Sequence, residues 1–196
     1  MVKSKYRLTN KEARYATIAG IVFLLLLFVD QITKAWAEAE QVRDADYFLG
    51  IIKLTYTTNP GMAFSWFSQN YAAMVVITIL TIFMIIGIAV LFFTLFKKSP
   101  PAQMCLAIIE AGAIGNLIDR LYFGHVRDFL DVSPLHFGIC NPADFYITLG
   151  AVALVFIILF IGPSALFPLT KKWREEAKIL EAEREEKKKE KKNRHD

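Results

Sequence analysis

Four long apolar blocks run along the chain, separated by polar or charged segments. The first extends from about Tyr15 to Trp36 and is interrupted only near its end, at Asp30, Gln31 and Lys34. The second covers about Tyr71 to Phe96 and stops at Lys97 and Lys98, where Pro100 and Pro101 supply a turn. The third, about Ala102 to Leu121, is the least apolar, because Glu110, Asn116, Asp119 and Arg120 lie inside it. The fourth runs from about Asp144 to Leu166. A helix needs about 20 mostly apolar residues to cross a bilayer, so each block predicts one membrane span. The first is too long for a signal peptide, no small-residue cleavage site follows it, and it is expected to be retained.

The connections carry a different period. In residues 50–59, GIIKLTYTTN, polar and apolar positions alternate well enough to predict one or two short strands. Asn59-Pro60-Gly61 is a turn signal, and the apolar, aromatic MAFSWF that follows suits a membrane interface. The alternation of HVRDFLDV at 125–132 predicts a further strand. The fold class expected is therefore a mostly α membrane protein, with four transmembrane helices, a small β-element on the outer leaflet and an interfacial helix.

Charge sets the orientation. Residues 1–14 carry Lys3, Lys5, Arg7, Lys11 and Arg14 against one acid, Glu12, and the stretch after Thr170 is rich in Lys and Arg. Lys and Arg near span ends are retained on the cytoplasmic side. Four spans place both ends and the Lys97–Lys98 turn inside, N-in and C-in, so that the connections near 37–70 and 122–143 face outward. The domain organisation expected is a basic arm at 1–14, one membrane domain at 15–168 and a charged tail at 169–196. The tail reads as a solvated, partly helical extension with i,i+4 ion pairs.

Bulk composition agrees. Of 196 residues 55% are hydrophobic, and the net charge of +4 is spread over the ends and connections rather than over one folded face. That excludes a nucleic-acid partner. The two cysteines, Cys105 and Cys140, lack metal-ligand spacing, and neither a metal nor a cofactor is expected.

Chemistry is concentrated between Gly112 and Asp144. Ionisable groups at the edge of hydrocarbon are costly, so a cluster of them there points to function. Gly112, Asn116, Asp119 and Arg120 fall on one helical stripe, where they can glue helices together or serve a site, and Asp119 can pair with Arg120. Ala111 and Gly115 form a small-xxx-small pair that admits a close neighbour. Asp30 and Lys34 are four apart on one helix face, suited to an ion pair that fixes packing or supports a site. Asp128 lies on the expected strand and Asp144 opens the fourth block, where a carboxylate also suits a helix N-terminus. Two carboxylates brought together do not readily both ionise, so one can hold a proton while the other activates water. Asp131 competes as a partner but falls on the alternate face of an extended segment, and His125 reads as a packing histidine. No phosphate loop, HExxH or serine–histidine pair is present in a sensible context.

At these motifs the chain resembles the bacterial lipoprotein signal peptidases, or signal peptidase II. DQITK at 30–34, NPGMAF at 59–64, GAIGNLIDR at 112–120, VRDF at 126–129 and NPADF at 141–145 match that family's signatures in order. The resemblance implies an intramembrane aspartic endopeptidase of the bacterial cytoplasmic membrane. It would act at the outer, periplasmic face and cleave prolipoproteins just before a diacylglyceryl-modified cysteine. It implies Asp128 and Asp144 as the catalytic pair, with Asp30, Lys34, Asn59, Gly112, Asn116, Asp119, Arg120, Asn141 and Ala143 shaping or supporting the site. The implied fold is a four-helix membrane bundle with a small β-cradle and a periplasmic helix. The implied partners are lipid-modified prolipoproteins and membrane lipid, and the expected state is a monomer. The chain departs from the pattern at Ala111, at Cys140 and in a short 133–140 loop. The alternative is a small proton-coupled transporter or assembly factor that uses the same acids.

Overall fold

The computed structural model describes residues 10–42, 45–47, 52–60, 71–97, 99–133, 138–162 and 171–192. The expected interfacial helix, which would follow the Asn59-Pro60-Gly61 turn, falls on residues outside them. The helices are α1 (Asn10–Glu40), α2 (Tyr71–Phe93), α3 (Pro100–Phe123), α4 (Pro142–Phe160) and α5 (Lys171–Lys192). The strands are β1 (Ala45–Tyr47), β2 (Ile52–Asn59), β3 (Val126–Asp131) and β4 (Ile139–Cys140). Four helices, α1 to α4, are long and apolar enough to cross a membrane, one for each apolar block. α1 runs on to Glu40, beyond the apolar block that ends near Trp36; in this extension Ala37 is buried and Glu38 pairs with Arg127.

The chain divides into two units, at Ala151 and Val152. In the first, the sheet runs in the order β1-β2-β3-β4 with every neighbouring pair antiparallel. It joins the two longer connections between the helices, since β2 comes from one and β3 and β4 from the other. A register shift between Leu54 and Thr57 interrupts the β2–β3 ladder before Thr57 meets Asp128 and Asn59 meets Val126. A small apolar core of Ala37, Leu54 and Phe129 fastens the sheet to the end of α1, and Phe129 meets Trp36 edge to face.

α3 begins at Pro100 and Pro101, whose missing N–H groups cost nothing in a first turn. It ends at Gly124, at φ 73, where a side chain would be strained, and the Gly124 N–H closes on the Arg120 carbonyl. That left-handed cap turns the chain directly into β3. Glycines let the neighbouring helices approach α3: a methyl at Gly115 would strike the Asp30 carboxylate, and one at Gly112 the Ala143 carbonyl oxygen. Further along, Gly150 lies against Ile109 and the Cys105 carbonyl.

The second unit holds the remainder of α4, where the tilted rings of Phe156 and Phe160 lie 5.0 Å apart, and the charged helix α5. Lys172 and Glu176 form an exposed i,i+4 pair on α5 at 4.0 Å.

Candidate active site

Asp128 and Asp144 meet at the junction of β3 with the first turn of α4, and Asn141 touches both. Its side-chain Nδ2 donates to Asp128 Oδ1 at 2.6 Å. Its backbone N–H donates to Asp144 Oδ2 at 3.1 Å, while its Oδ1 accepts the Asp144 N–H at 3.3 Å. The reciprocal pair is a capping box: Asn141 caps α4, Pro142 takes the first helical position, and Asp144 is the third residue reaching back. Asp144 thus serves the helix N-terminus, as a carboxylate there was expected to, but from inside the first turn with Asn141 in the capping position, and in doing so is fixed in orientation.

Each carboxylate has a second donor. Asn59, diagonal to Asp128 across the β2–β3 ladder, donates to Asp128 Oδ2 at 2.9 Å. Asn116 on α3 donates to Asp144 Oδ1 at 2.9 Å. Asp128 is 2% exposed. Burial pushes its carboxyl up to about 6, with the Asp144 charge adding to the rise and the Asn141 and Asn59 hydrogen bonds and Lys34 opposing it. Asp131 does not compete for the pair: at the far end of β3 it accepts the Ser133 N–H at 2.8 Å, and hydrogen bonding to the Ser133 side chain and then its backbone holds its carboxyl below the usual range.

Behind the aspartates lies a buried polar network. Lys34 and Asp30, both wholly buried, pair at 3.0 Å along α1. Lys34 Nζ also donates to Asn116 Oδ1 at 2.9 Å and reaches Asp119 at 3.5 Å. An amide oxygen held by an ammonium leaves the amide nitrogen to face the other way, so Lys34 aims Asn116 at Asp144. Asp30 Oδ1 accepts the Ala143 N–H at 3.1 Å, tying α1 to the second residue of α4. A buried charge persists only where its partners are in place, and each of these charges has at least two.

Most of the support positions expected from sequence, Asp30, Lys34, Asn59, Gly112, Asn116, Asp119, Asn141 and Ala143, come together here. The expected Asp119–Arg120 pair does not form. Asp119 faces α1 and β3, where it pairs with Lys34 and with Arg127 at 2.8 Å. Arg120, one residue round the helix, is close enough to act electrostatically on Asp144 and Asp128, and less on Asp119. Its Nε is buried with no hydrogen-bond partner among the described residues.

Three members were not anticipated: Arg127, Gln31 and Glu38. Arg127 donates to Glu38 at 3.0 Å and to Gln31 Oε1 at 3.1 Å. Gln31 Nε2 in turn donates to Asp30, to the Gly115 carbonyl and to Asp119. The available signal was an arginine in an otherwise inward-facing strand, and a glutamine and a glutamate on the Asp30–Lys34 side of α1. Cys140, half-buried, donates its thiol to the Leu130 carbonyl at 3.4 Å. Burial and then the Asp144 and Asp128 charges push it up to about 12, which leaves it a thiol rather than a nucleophile. Among the described residues no cluster of His, Cys, Asp or Glu is arranged to hold a metal ion.

Comparison with known proteins identifies relatives of this arrangement. The family model for Signal peptidase (SPase) II matches residues 22–160. The chain is 36% identical over 149 residues to the lipoprotein signal peptidase of Caldicellulosiruptor bescii, covering 75% of this chain and 94% of that protein. It is 34% identical over 143 residues to the lipoprotein signal peptidase of Streptococcus agalactiae, covering 70% and 89%. A bacterial membrane enzyme solved by the in meso method at 1.9 Å superposes with a TM-score of 0.67 at 24% identity, over 73% of this chain and 93% of that one, a likeness of fold.

Proposed function

The chain belongs to the signal peptidase II family of bacterial membrane peptidases, and we propose that it is an aspartic endopeptidase which removes signal peptides from prolipoproteins just before a diacylglyceryl-modified cysteine. One observation carries the reading: Asn141 hydrogen-bonds Asp128 through its side chain and Asp144 through its backbone. A single residue thereby holds two carboxyl groups at the end of a span, where a lipid-anchored substrate presents its scissile bond.

The environments divide the roles. Asp128, with its carboxyl raised to about 6, is protonated far more often than an ordinary carboxyl and in that form acts as general acid. Asp144 acts as general base. Water between them loses a proton to Asp144 and attacks the carbonyl carbon. The tetrahedral intermediate then expels the cysteine's amine, which takes the Asp128 proton. Asn116 and Asn141 serve first as positioning groups, since their amides already face the aspartates. The diacylglyceryl chains lie in the bilayer beside the helices and set the depth of the bond. Basic residues at the span ends support an N-in, C-in orientation, with the site at the outer face of the cytoplasmic membrane.

The test is maturation of a lipidated precursor by purified Asp128→Asn and Asp144→Asn variants. Both are expected to lose processing while staying folded, a loss on the order of a thousandfold or more. Full cleavage by either folded variant overturns the assignment, and proton flux unaccompanied by cleavage favours the transporter alternative. For the wild type, kcat/KM is expected to fall as pH rises through about 6, where Asp128 gives up its proton.

A further inference from the structure

Arg127 stands next to Asp128 in β3 but points to the opposite face of the strand, toward α1 and α3. It is 4% exposed. Burying a guanidinium costs several kcal/mol unless its donors are met, and here they are met from three sides. Asp119 accepts from Nη2 at 2.8 Å, from Nε at 3.3 Å and from the Arg127 backbone N–H at 3.0 Å. Glu38 and Gln31 on α1 take Nη1 and Nη2, and the guanidinium carbon lies 4.4 Å from the centre of the Phe123 ring. The residue joins α1, α3 and β3 at one point.

From Asp119 a chain of polar contacts runs to the catalytic pair. Asp119 is 3.5 Å from Lys34, Lys34 donates to Asn116, and Asn116 donates to Asp144. The charge count gives the chain its logic. Asp30 and Asp119 are two buried carboxylates, and among the described residues Lys34 would, without Arg127, be the only cation within ion-pair distance of either. Drawn fully into those carboxylates, Lys34 would release the Asn116 oxygen, and the amide would be free to turn.

We propose that Arg127 is a positioning residue of the peptidase: by taking up Asp119 it leaves Lys34 available to hold Asn116, and so keeps the amide of Asn116 aimed at Asp144. The inference rests on the assignment of Asp128 and Asp144 as the catalytic pair. It has an electrostatic corollary. The charged and titratable groups around the pair are Asp30, Lys34 and Glu38 from α1, and Tyr56 and Lys53 from β2. They continue with Asp119 and Arg120 from α3, Arg127 and Asp131 from β3, Cys140 from β4 and Tyr146 from α4. Removing the Arg127 charge alone makes that surrounding more negative, which favours the protonated form of Asp128, so the falling limb of the pH–rate profile moves upward.

The experiment measures kcat, KM and their pH dependence on the full chain in detergent micelles with a lipidated precursor. Arg127→Gln is expected to lower kcat roughly 10- to 100-fold with KM changed less than about threefold. Its pH profile is expected to move up by roughly half a unit or more. Adding Asp119→Asn restores the charge balance and returns the profile to its wild-type position. Arg127→Lys keeps the position and loses about tenfold in kcat, because one ammonium cannot fork between Asp119, Gln31 and Glu38. Wild-type kcat in Arg127→Gln overturns the proposal, as does a fall in kcat with no pH movement or a rise in KM alone. Should Arg127→Gln not fold, the Lys variant and the double variant decide it: unchanged kcat in the Lys variant, or a displaced profile in the double variant, overturns it. Asp144→Asn is assayed alongside. Cleavage by that variant would refute the catalytic pair itself, whereas an inactive Asp144→Asn beside a wild-type-like Arg127→Gln refutes only the role of Arg127.

Discussion

α2 and α3 are neighbours of nearly equal length, 23 and 24 residues, and they solve opposite problems. Along α2 only 11% of the most apolar stretch is buried in protein, and Leu80 and Phe83 are more than half exposed. Its threonines Thr78 and Thr81 return their hydroxyls to the carbonyls four residues back, so neither hydroxyl is offered to lipid. Along α3, 61% of the corresponding stretch is buried, and the stripe that faces α1, β3 and α4 carries Gly112, Gly115, Asn116 and Asp119. A helix clothed by protein can hold charge because its neighbours supply the partners that water would. A helix clothed by lipid cannot. The least apolar of the four spans is therefore the structural centre of the site, and its weak hydropathy is a consequence of the chemistry it supports.

The largest blow to this contrast is Lys34→Met, which leaves Asp30 and Asp119 buried without their shared ammonium. A loss of about 3 to 5 kcal/mol is expected, read as a lower melting temperature in micelles together with lost processing. Asp128→Asn changes stability in the other direction. The native carboxyl holds its proton more tightly than the unfolded one, whose ordinary value is 3.8, so its favourable contribution is complete below that pH and is lost as pH rises through about 6. The asparagine variant stays neutral. It should exceed the wild type by roughly 3 kcal/mol near pH 8 and match it near pH 4, in paired thermal scans.

Two glycine substitutions make the contrast sharper still. Gly115→Ala on α3 drives a methyl into the Asp30 carboxylate and is expected to cost about 1 to 3 kcal/mol and part of the activity. Gly87→Ala on α2 meets nothing within 4 Å and should be neutral or stabilising by up to about 1 kcal/mol, with activity unchanged. Equal effects at the two positions would show that the helices differ less than their surroundings suggest.

Much of this was legible in the chain. The four apolar blocks became four helices, and the alternation at 50–59 and 125–132 became β2 and β3. The run Asn-Pro-Ala-Asp reads directly as a helix start, because proline is tolerated first and the polar pair can cap each other. What could not be read was the choice of partners. Asp119 and Arg120 are adjacent, yet successive helical positions diverge by about 100° and cannot share a partner on one face. Arg127 was hidden for the opposite reason: β3 is buried on both faces through Phe129, so alternation no longer separates an inside from an outside. Sequence proximity suggested one arginine, and the packing of α1 against α3 selected the other.

The spacing of Asp30 and Lys34 has a consequence for biosynthesis. Asn116, which the mature lysine holds, lies 82 residues downstream, so at about 5 to 20 residues per second it leaves the ribosome roughly 4 to 16 s later. During that interval the first span must enter the bilayer carrying two charged side chains without Asn116, Asp119 or Ala143. Placed four apart on one helix, they can neutralise each other as soon as their own turn forms. The nascent span thus carries its own counter-ion, and the same pair, kept in the folded protein, gains Asn116 and Asp119 from the third span and the Ala143 N–H from the fourth once they arrive.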